Sequence, residues 1–174
     1  MMRFVRFLDA VNELGGTSIA WLTLVMMLVT CSVVVARYVF NLGSIALQES
    51  VMYLHGIVFM LGIGYTLKHQ GHVRVDIFYA RFSTRTRAAI DCLGTLVFLF
   101  PLGLFFLIGS LSYVSFSWSL TEGSAQPGGL PGVFALKTLI PIMAFLLLLQ
   151  GLAELGRSIS ILTGSSPETG RFDH

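Results

Sequence analysis

Charged residues are scarce in this chain. They make up 11% of its 174 residues, whereas a soluble domain carries about 25%. Hydrophobic residues account for 55% of the chain, and the mean hydropathy is +0.80. This composition excludes an ordinary soluble domain and an intrinsically disordered chain. The net charge of +2, with no basic cluster, also argues against nucleic acid as a partner.

Cysteine and histidine are also rare. Cys31 and Cys92 lie in or beside apolar segments, without a CxxC motif or a Cys/His cluster, so neither a disulfide framework nor a metal site is expected. Of the four histidines, only His55 falls within an apolar stretch. A haem held by two histidines of this chain is therefore not expected, and no cofactor is predicted.

What the chain does have is long stretches free of Asp, Glu, Lys and Arg. They cover residues 14–36, 50–67, 92–121 and 138–153. A bilayer core requires about 20 mostly apolar residues per helix. The pattern predicts an all-α polytopic membrane protein, a single domain over residues 1–174 with four transmembrane helices. Their expected bounds are about 15–37, 49–68, 91–119 and 134–155.

Four local features refine this prediction. Pro101 is expected to bend the long third span. The first apolar run exceeds the roughly 7–15 residues of a signal-peptide core, which indicates a retained signal anchor. Before it, apolar residues recur at helical spacing from Phe4 to Leu14, which predicts a short amphipathic helix at the membrane interface. Ser83 is a candidate N-cap for a helix that runs into the third span.

The basic residues predict the orientation. Nine of the 11 flank the chain termini or the connection between the second and third spans, and only Arg37 and Lys137 flank the other two connections. By the positive-inside rule, both termini and the middle loop are cytoplasmic. The loops at 38–49 and 122–137 then face outward.

The middles of the predicted spans carry no Asp, Glu, Lys or Arg. Ion and proton pathways normally retain such residues despite their cost in hydrocarbon, so an autonomous pump or channel is not favoured. His55 is the one ionisable side chain that lies at any depth within a predicted span, and we expect it to form a hydrogen bond between helices. This scarcity of ionisable residues within the spans favours a scaffold that packs against a partner.

Several motifs occur in a characteristic order. The first span ends in RYVFN at 37–41, the second opens with Gln48 and Glu49, and KHQGHVRVD follows it at 68–76. The loop SAQPGGLP at 124–131 precedes Lys137 and Pro141. From about Val25 to Arg157, this order resembles the small membrane subunit of tripartite ATP-independent periplasmic (TRAP) transporters, the DctQ-like family. The chain departs from the family pattern near the second span, where the usual tryptophan is missing and Gln48 replaces the first of two acidic residues.

The resemblance implies a non-catalytic scaffold subunit in the bacterial inner membrane. In such transporters a periplasmic binding protein captures an organic anion, expected here to be a carboxylate, and a large membrane subunit holds the substrate and sodium sites. The small subunit braces the large one. The implied partners are thus the large membrane subunit, the periplasmic binding protein and the lipid bilayer.

Residues at the two surfaces are the candidates for partner interfaces. Arg37 could snorkel to the headgroups, pair with Glu49 across a short loop, or contact a partner. The cytoplasmic end of the second span and the outer loop could be plain turns or shaped surfaces. The candidate set is Arg37, Asn41, Glu49, Gly71, His72, Arg74, Asp76, Pro127, Gly129, Pro131 and Lys137.

Two other functions remain open. A small four-helix, proton-coupled exporter would require a carboxylate within the membrane, and Glu49 lies close to the boundary. A membrane anchor of a redox complex would use His55 to ligate haem together with another chain.

Overall fold

All regular secondary structure is helical in the part of the chain that the computed structural model describes, residues 2–68 and 82–163. No strand occurs in these residues. The elements are α1 (Met2–Tyr38), α2 (Ile45–Lys68), α3 (Thr84–Gly94), a π-helical turn (Thr95–Leu99), α4 (Phe100–Ser119) and α5 (Val133–Leu162).

Among the residues that the structure describes, four segments are long and apolar enough to cross a membrane, which confirms the predicted number of spans. They are Trp21–Tyr38, Ile45–Ile63, Thr84–Ser119 and Val133–Leu162. The third comprises α3, the π-helical turn and α4 in succession. Two helices extend past their expected ends: α1 runs unbroken from Met2, so the predicted interfacial segment continues into the first span, and α5 continues to Leu162.

The π-helical turn lies where Pro101 was expected to disturb the third span. Proline has no N–H, and its ring clashes with the carbonyl four residues before it in a regular α-helix. Here the N–H of Phe100 donates to the carbonyl of Thr95, which widens the helix immediately before Pro101. The Thr95 hydroxyl donates to the Asp91 carbonyl at 2.7 Å. The proline is thus accommodated by a π turn.

Helix α5 is the centre of the molecule. It contacts each of the other helices, whereas α4 packs on α5 and the π turn, and α1 and α2 pack on each other and on α5. Close packing is visible at Gly151, where an added Cβ would lie 2.5 Å from a methyl of Leu99. The described helices therefore form two flanks, α1–α2 and α3–α4, on either side of α5.

The buried residues of α5 include polar ones. Gln150, Glu154 and Ser158 are almost fully buried and follow one another at four-residue spacing, so they lie on one face of the helix. Arg157 donates to Glu154 at 2.7 Å.

Ser83 begins α3 as predicted. Its backbone is extended, and its hydroxyl accepts a hydrogen bond from the Thr86 N–H at 3.2 Å. This N-cap satisfies one of the N–H groups that the first helical turn leaves without a partner.

Candidate functional site

Two connections meet at one end of the helices, which we call the loop end. They are residues 39–44, between α1 and α2, and residues 120–132, between α4 and α5. The longer connection is held on α2 by Glu49, which lies in the second turn of that helix. Seven of the predicted interface residues belong to the loop end or to the helix turns beside it. They are Arg37, Asn41, Glu49, Pro127, Gly129, Pro131 and Lys137.

The Glu49 carboxylate joins α2 to the longer connection with both of its oxygens. Oε1 accepts a hydrogen bond from the Ser124 hydroxyl. Oε2 accepts one from the Leu130 N–H at 2.7 Å. We call Glu49, Ser124 and Leu130 the Glu49 clasp. Because a carboxylate is a stronger acceptor than a neutral group, the clasp fixes the loop on α2 more firmly than an amide would.

The loop is folded so that it fits around the Glu49 carboxylate. The Ser124 N–H donates to the Leu130 carbonyl at 3.0 Å, and the Gly129 N–H donates to the Gln126 carbonyl at 3.0 Å. Pro127 and Gly128, with φ of 78° at Gly128, occupy the middle of this tight turn. These are the residues that a type II turn favours. Pro127 and Gly129 therefore shape the loop that the sequence identified.

Position 129 requires glycine because the Glu49 and Ser124 side chains approach its backbone closely. An added Cβ would lie 2.8 Å from Glu49 Oε1 and would also collide with the Ser124 side chain. Pro131 is exposed and lies against Gly123, where an added Cβ would be 3.3 Å from the Pro131 Cα. The glycine and proline pattern thus encodes a compact loop in van der Waals contact with itself.

The end of α4 positions a second acidic residue. The Glu122 N–H donates to the Ser117 carbonyl and the Thr121 N–H to the Trp118 carbonyl, both at 3.1 Å. These two bonds form a Schellman motif, which normally places glycine at the position that Thr121 occupies here. Thr121 has a φ of 44°, the left-handed region that β-branched residues disfavour.

Glu122 binds Lys137 across the α4–α5 junction. Lys137 Nζ lies 2.5 Å from Glu122 Oε2, and the Ser117 hydroxyl donates to the same oxygen at 2.6 Å. The hydrogen bond from Lys137, followed by that from Ser117, lowers the pKa of the Glu122 carboxyl below its ordinary value. Lys137 Nζ also lies 4.1 Å from the ring centre of Tyr113. Lys137 is therefore tied into the loop end and largely covered.

Trp118 provides a further link between α4 and α5. Its indole Nε1–H donates to the Thr138 hydroxyl at 2.9 Å. Its ring meets that of Phe134 edge to face, with centroids 4.6 Å apart. This apolar contact and the Glu122–Lys137 pair together hold the start of α5 against the end of α4.

Arg37 and Asn41 remain on the surface of the loop end. Both are exposed, and among the described residues no ion pair forms between Arg37 and Glu49, since the clasp occupies the Glu49 carboxylate. Asn41 has a φ of 53° and permits the sharp turn after α1, because asparagine tolerates the left-handed region. A role for either residue at a partner interface stays a prediction.

The opposite end carries a polar feature that sequence reasoning missed, namely Gln150, Glu154, Arg157 and Ser158 on α5. Spacing of polar residues by four in an apolar helix is the signal that could have revealed it. Four other predicted residues, Gly71, His72, Arg74 and Asp76, lie outside the described residues.

The side chains of the loop end hold its surface in place. Within residues 2–68 and 82–163, no group of three His, Cys, Asp or Glu side chains could hold a metal ion. Glu49 bonds to Ser124 and Glu122 to Lys137, while residues 125–128 and Pro131 are exposed at the surface of the loop end. This arrangement gives a rigid, cross-linked loop that another protein could contact.

Comparison with known proteins supports one family. The family described as tripartite ATP-independent periplasmic transporters, DctQ component, matches residues 26–160. Neither the search of curated proteins nor that of solved structures returned a match. The matched region covers the last third of α1, the whole loop end and the later helices up to residue 160 of α5.

Proposed function

The chain belongs to the DctQ component family of the tripartite ATP-independent periplasmic transporters, and on that premise we propose a non-catalytic scaffold role for this small membrane subunit. It braces the large transport subunit in the inner membrane. The large subunit imports an organic anion, a carboxylate, with sodium coupling. The small subunit also helps to dock the periplasmic binding protein.

The observation that carries this proposal is the cross-linked loop end. Glu49 holds the longer connection on α2, and Lys137 with Glu122 closes the base of the same connection. Both carboxylates are used to fix a surface, which is what a docking platform requires. A proton-coupled exporter would instead require a carboxylate free to exchange protons, and the clasp engages both oxygens of Glu49.

The distribution of basic residues supports the orientation. Nine of the 11 flank the termini and the middle connection, and only Arg37 and Lys137 lie near the loop end. The proposal therefore assigns the loop end to the periplasm. In this orientation residues 125–128, Pro131 and Arg37 are on the side from which a binding protein would approach.

Co-purification and transport test the proposal together. A tagged copy of this chain, co-expressed with the large subunit of the same transporter, should retain a much larger membrane protein through size-exclusion chromatography. Uptake into liposomes should require both subunits and the binding protein. Transport by this chain alone, or failure of the wild-type chain to retain the large subunit, would contradict the scaffold role.

A further inference from the structure

The exposed residues of α2 form a narrow stripe within the membrane. Between Ile45 and Ile63 only five residues are exposed, namely Leu47, Gln48, Met52, His55 and Phe59. The last four are spaced by four, three and four residues, which is the spacing of a coiled-coil seam. Gly62 continues the series, and a Cβ added there would meet no atom of the described residues within 4 Å.

The exposed surface of α4 has a different pattern. Its buried residues, Gly103, Ser110, Val114 and Ser117, form one narrow stripe, while exposed apolar side chains occupy most of the remaining circumference. A helix with such a broad apolar surface suits lipid. The α2 pattern is the reverse, because α1 and α5 pack against this helix and leave its other residues between Ile45 and Ile63 only partly exposed.

The seam has a polar group near the middle of the membrane. His55 lies ten residues after Ile45, close to the centre of the Ile45–Ile63 span. At 1.5 Å per residue this corresponds to about 15 Å, half of a hydrocarbon core of about 30 Å. The imidazole stacks on Phe59 with ring centroids 6.2 Å apart. It has no hydrogen-bond partner among the described residues.

A polar side chain left without a partner in hydrocarbon is unfavourable. The His55 imidazole has one donor and one acceptor when neutral, so it can be satisfied by a side chain from another transmembrane helix. Gly62, two helical turns further along the same stripe, offers no side chain, which allows a helix backbone to approach closely. The polar group and the open glycine both point to a helix as the occupant of the seam.

We propose that Gln48, Met52, His55, Phe59 and Gly62 form the seam on which a transmembrane helix of the large subunit packs, with a hydrogen-bonding side chain of that helix opposite His55. This inference rests on the proposed scaffold function. The seam supplies both the apolar packing and the polar contact by which the small subunit recognises the large one in the bilayer.

Photo-crosslinking tests which protein chain packs on the seam. A benzoylphenylalanine placed at Phe59, which is 65% exposed, should crosslink to the large subunit when the two chains are co-expressed. The same photo-probe at Phe105, which is 70% exposed on α4, is the matched control and should give no such product. A product of two copies of this chain, or equal crosslinking of the large subunit from both positions, would overturn the inference.

Two substitutions test the polar contact and the close approach. His55→Leu should weaken retention of the large subunit by about 3- to 30-fold, the range expected for a hydrogen bond between membrane helices. Gly62→Leu should weaken it further. Gly109→Leu should have no effect; a Cβ added at this α4 glycine also meets no atom of the described residues within 4 Å. The thermal stability of each isolated variant checks that the chain itself still folds.

The outcomes separate this inference from the proposed function. If the wild-type chain retains the large subunit and both seam variants do so equally well, the seam is wrong and the scaffold function stands. If the wild-type chain retains no large subunit, both are wrong. A Soret band in the purified wild-type protein that disappears in His55→Leu would assign His55 to a haem and overturn the seam.

Discussion

The carboxylate of Glu49 accepts a hydrogen bond from the Leu130 N–H at 2.7 Å, although the two residues are 81 positions apart in the chain. The other oxygen accepts the Ser124 hydroxyl. A single side chain on α2 therefore determines how the connection between α4 and α5 lies over the helix ends. Because residue 48 is a glutamine in this chain, Glu49 is the one carboxylate at the start of α2.

Removal of the Glu49 carboxylate should release the loop. In Glu49→Ala, the Leu130 N–H loses its acceptor, and residues 124–130 should be cleaved more rapidly by an added protease. Glu49→Gln should have a smaller effect, because its amide oxygen can still accept the Leu130 N–H. Limited proteolysis followed by mass spectrometry locates the cleavage.

The matched control for Glu49 is Gln48→Ala, since Gln48 is the neighbouring exposed residue and its side chain forms no hydrogen bond with residues 124–130. Its cleavage pattern should equal that of the wild-type chain. Equal protection of the loop in Glu49→Ala and the wild type would mean that the clasp does not hold the loop on α2.

Thr121→Gly should stabilise the protein. Thr121 occupies the left-handed position of a Schellman motif with a φ of 44°, where a Cβ and its branch are unfavourable. Glycine should relieve about 1 kcal/mol of this strain. The thermal unfolding midpoint of the detergent-solubilised protein measures the gain, and Thr121→Ala, which retains the Cβ, should gain less. An unchanged or lower midpoint in Thr121→Gly would argue against strain at this residue.

The ion pair at the loop end should make that region sensitive to acid. The pKa of Glu122 is lower in the folded protein than its ordinary value of 4.5, chiefly because Lys137 and then Ser117 donate to it. A carboxyl with a depressed pKa stabilises the fold above its unfolded-state pKa, and this contribution is lost as pH falls from about 4.5 through the folded pKa. The α4–α5 junction should therefore loosen in that window.

Trp118 reports on this junction, because its indole bonds Thr138 and packs on Phe134. In a Trp21→Phe background Trp118 is the one remaining tryptophan, and its emission should change as pH falls below 4.5. The added substitution Glu122→Gln should remove this change and lower the unfolding midpoint at neutral pH. A transition of the same size in both proteins would assign it to other carboxyls.

Arg37→Glu tests the docking role at the loop end. Arg37 is exposed and forms no ion pair among the described residues, so reversing its charge should leave the fold and the assembly with the large subunit intact. If Arg37 contacts the binding protein, uptake should fall at limiting binding-protein concentration and recover in part when that protein is added in excess. Loss of assembly would instead assign Arg37 to the subunit interface, and unchanged uptake would remove it from docking.

The sequence predicted the spans and missed the contacts between them for a physical reason. Charge-free runs identify transmembrane helices from the local sequence alone. In hydrocarbon a helix makes all of its backbone hydrogen bonds within itself, and charged side chains are unfavourable. Contacts such as that between Glu49 and Leu130 depend on how distant segments meet. Proximity along the chain suggested Arg37 as the partner of Glu49, whereas the folded loop brings an N–H and a hydroxyl to the carboxylate instead.

By itself the sequence determined the all-helical class, the four spans, the Ser83 cap and the place where Pro101 interrupts the third span. These follow from local apolar length, capping chemistry and the missing proline N–H. Only the tertiary structure decided that α5 is central, that Glu154 is buried and that Glu122 binds Lys137. Those depend on which helix faces meet, and side-chain pairing across helices is decided by packing that no single segment encodes.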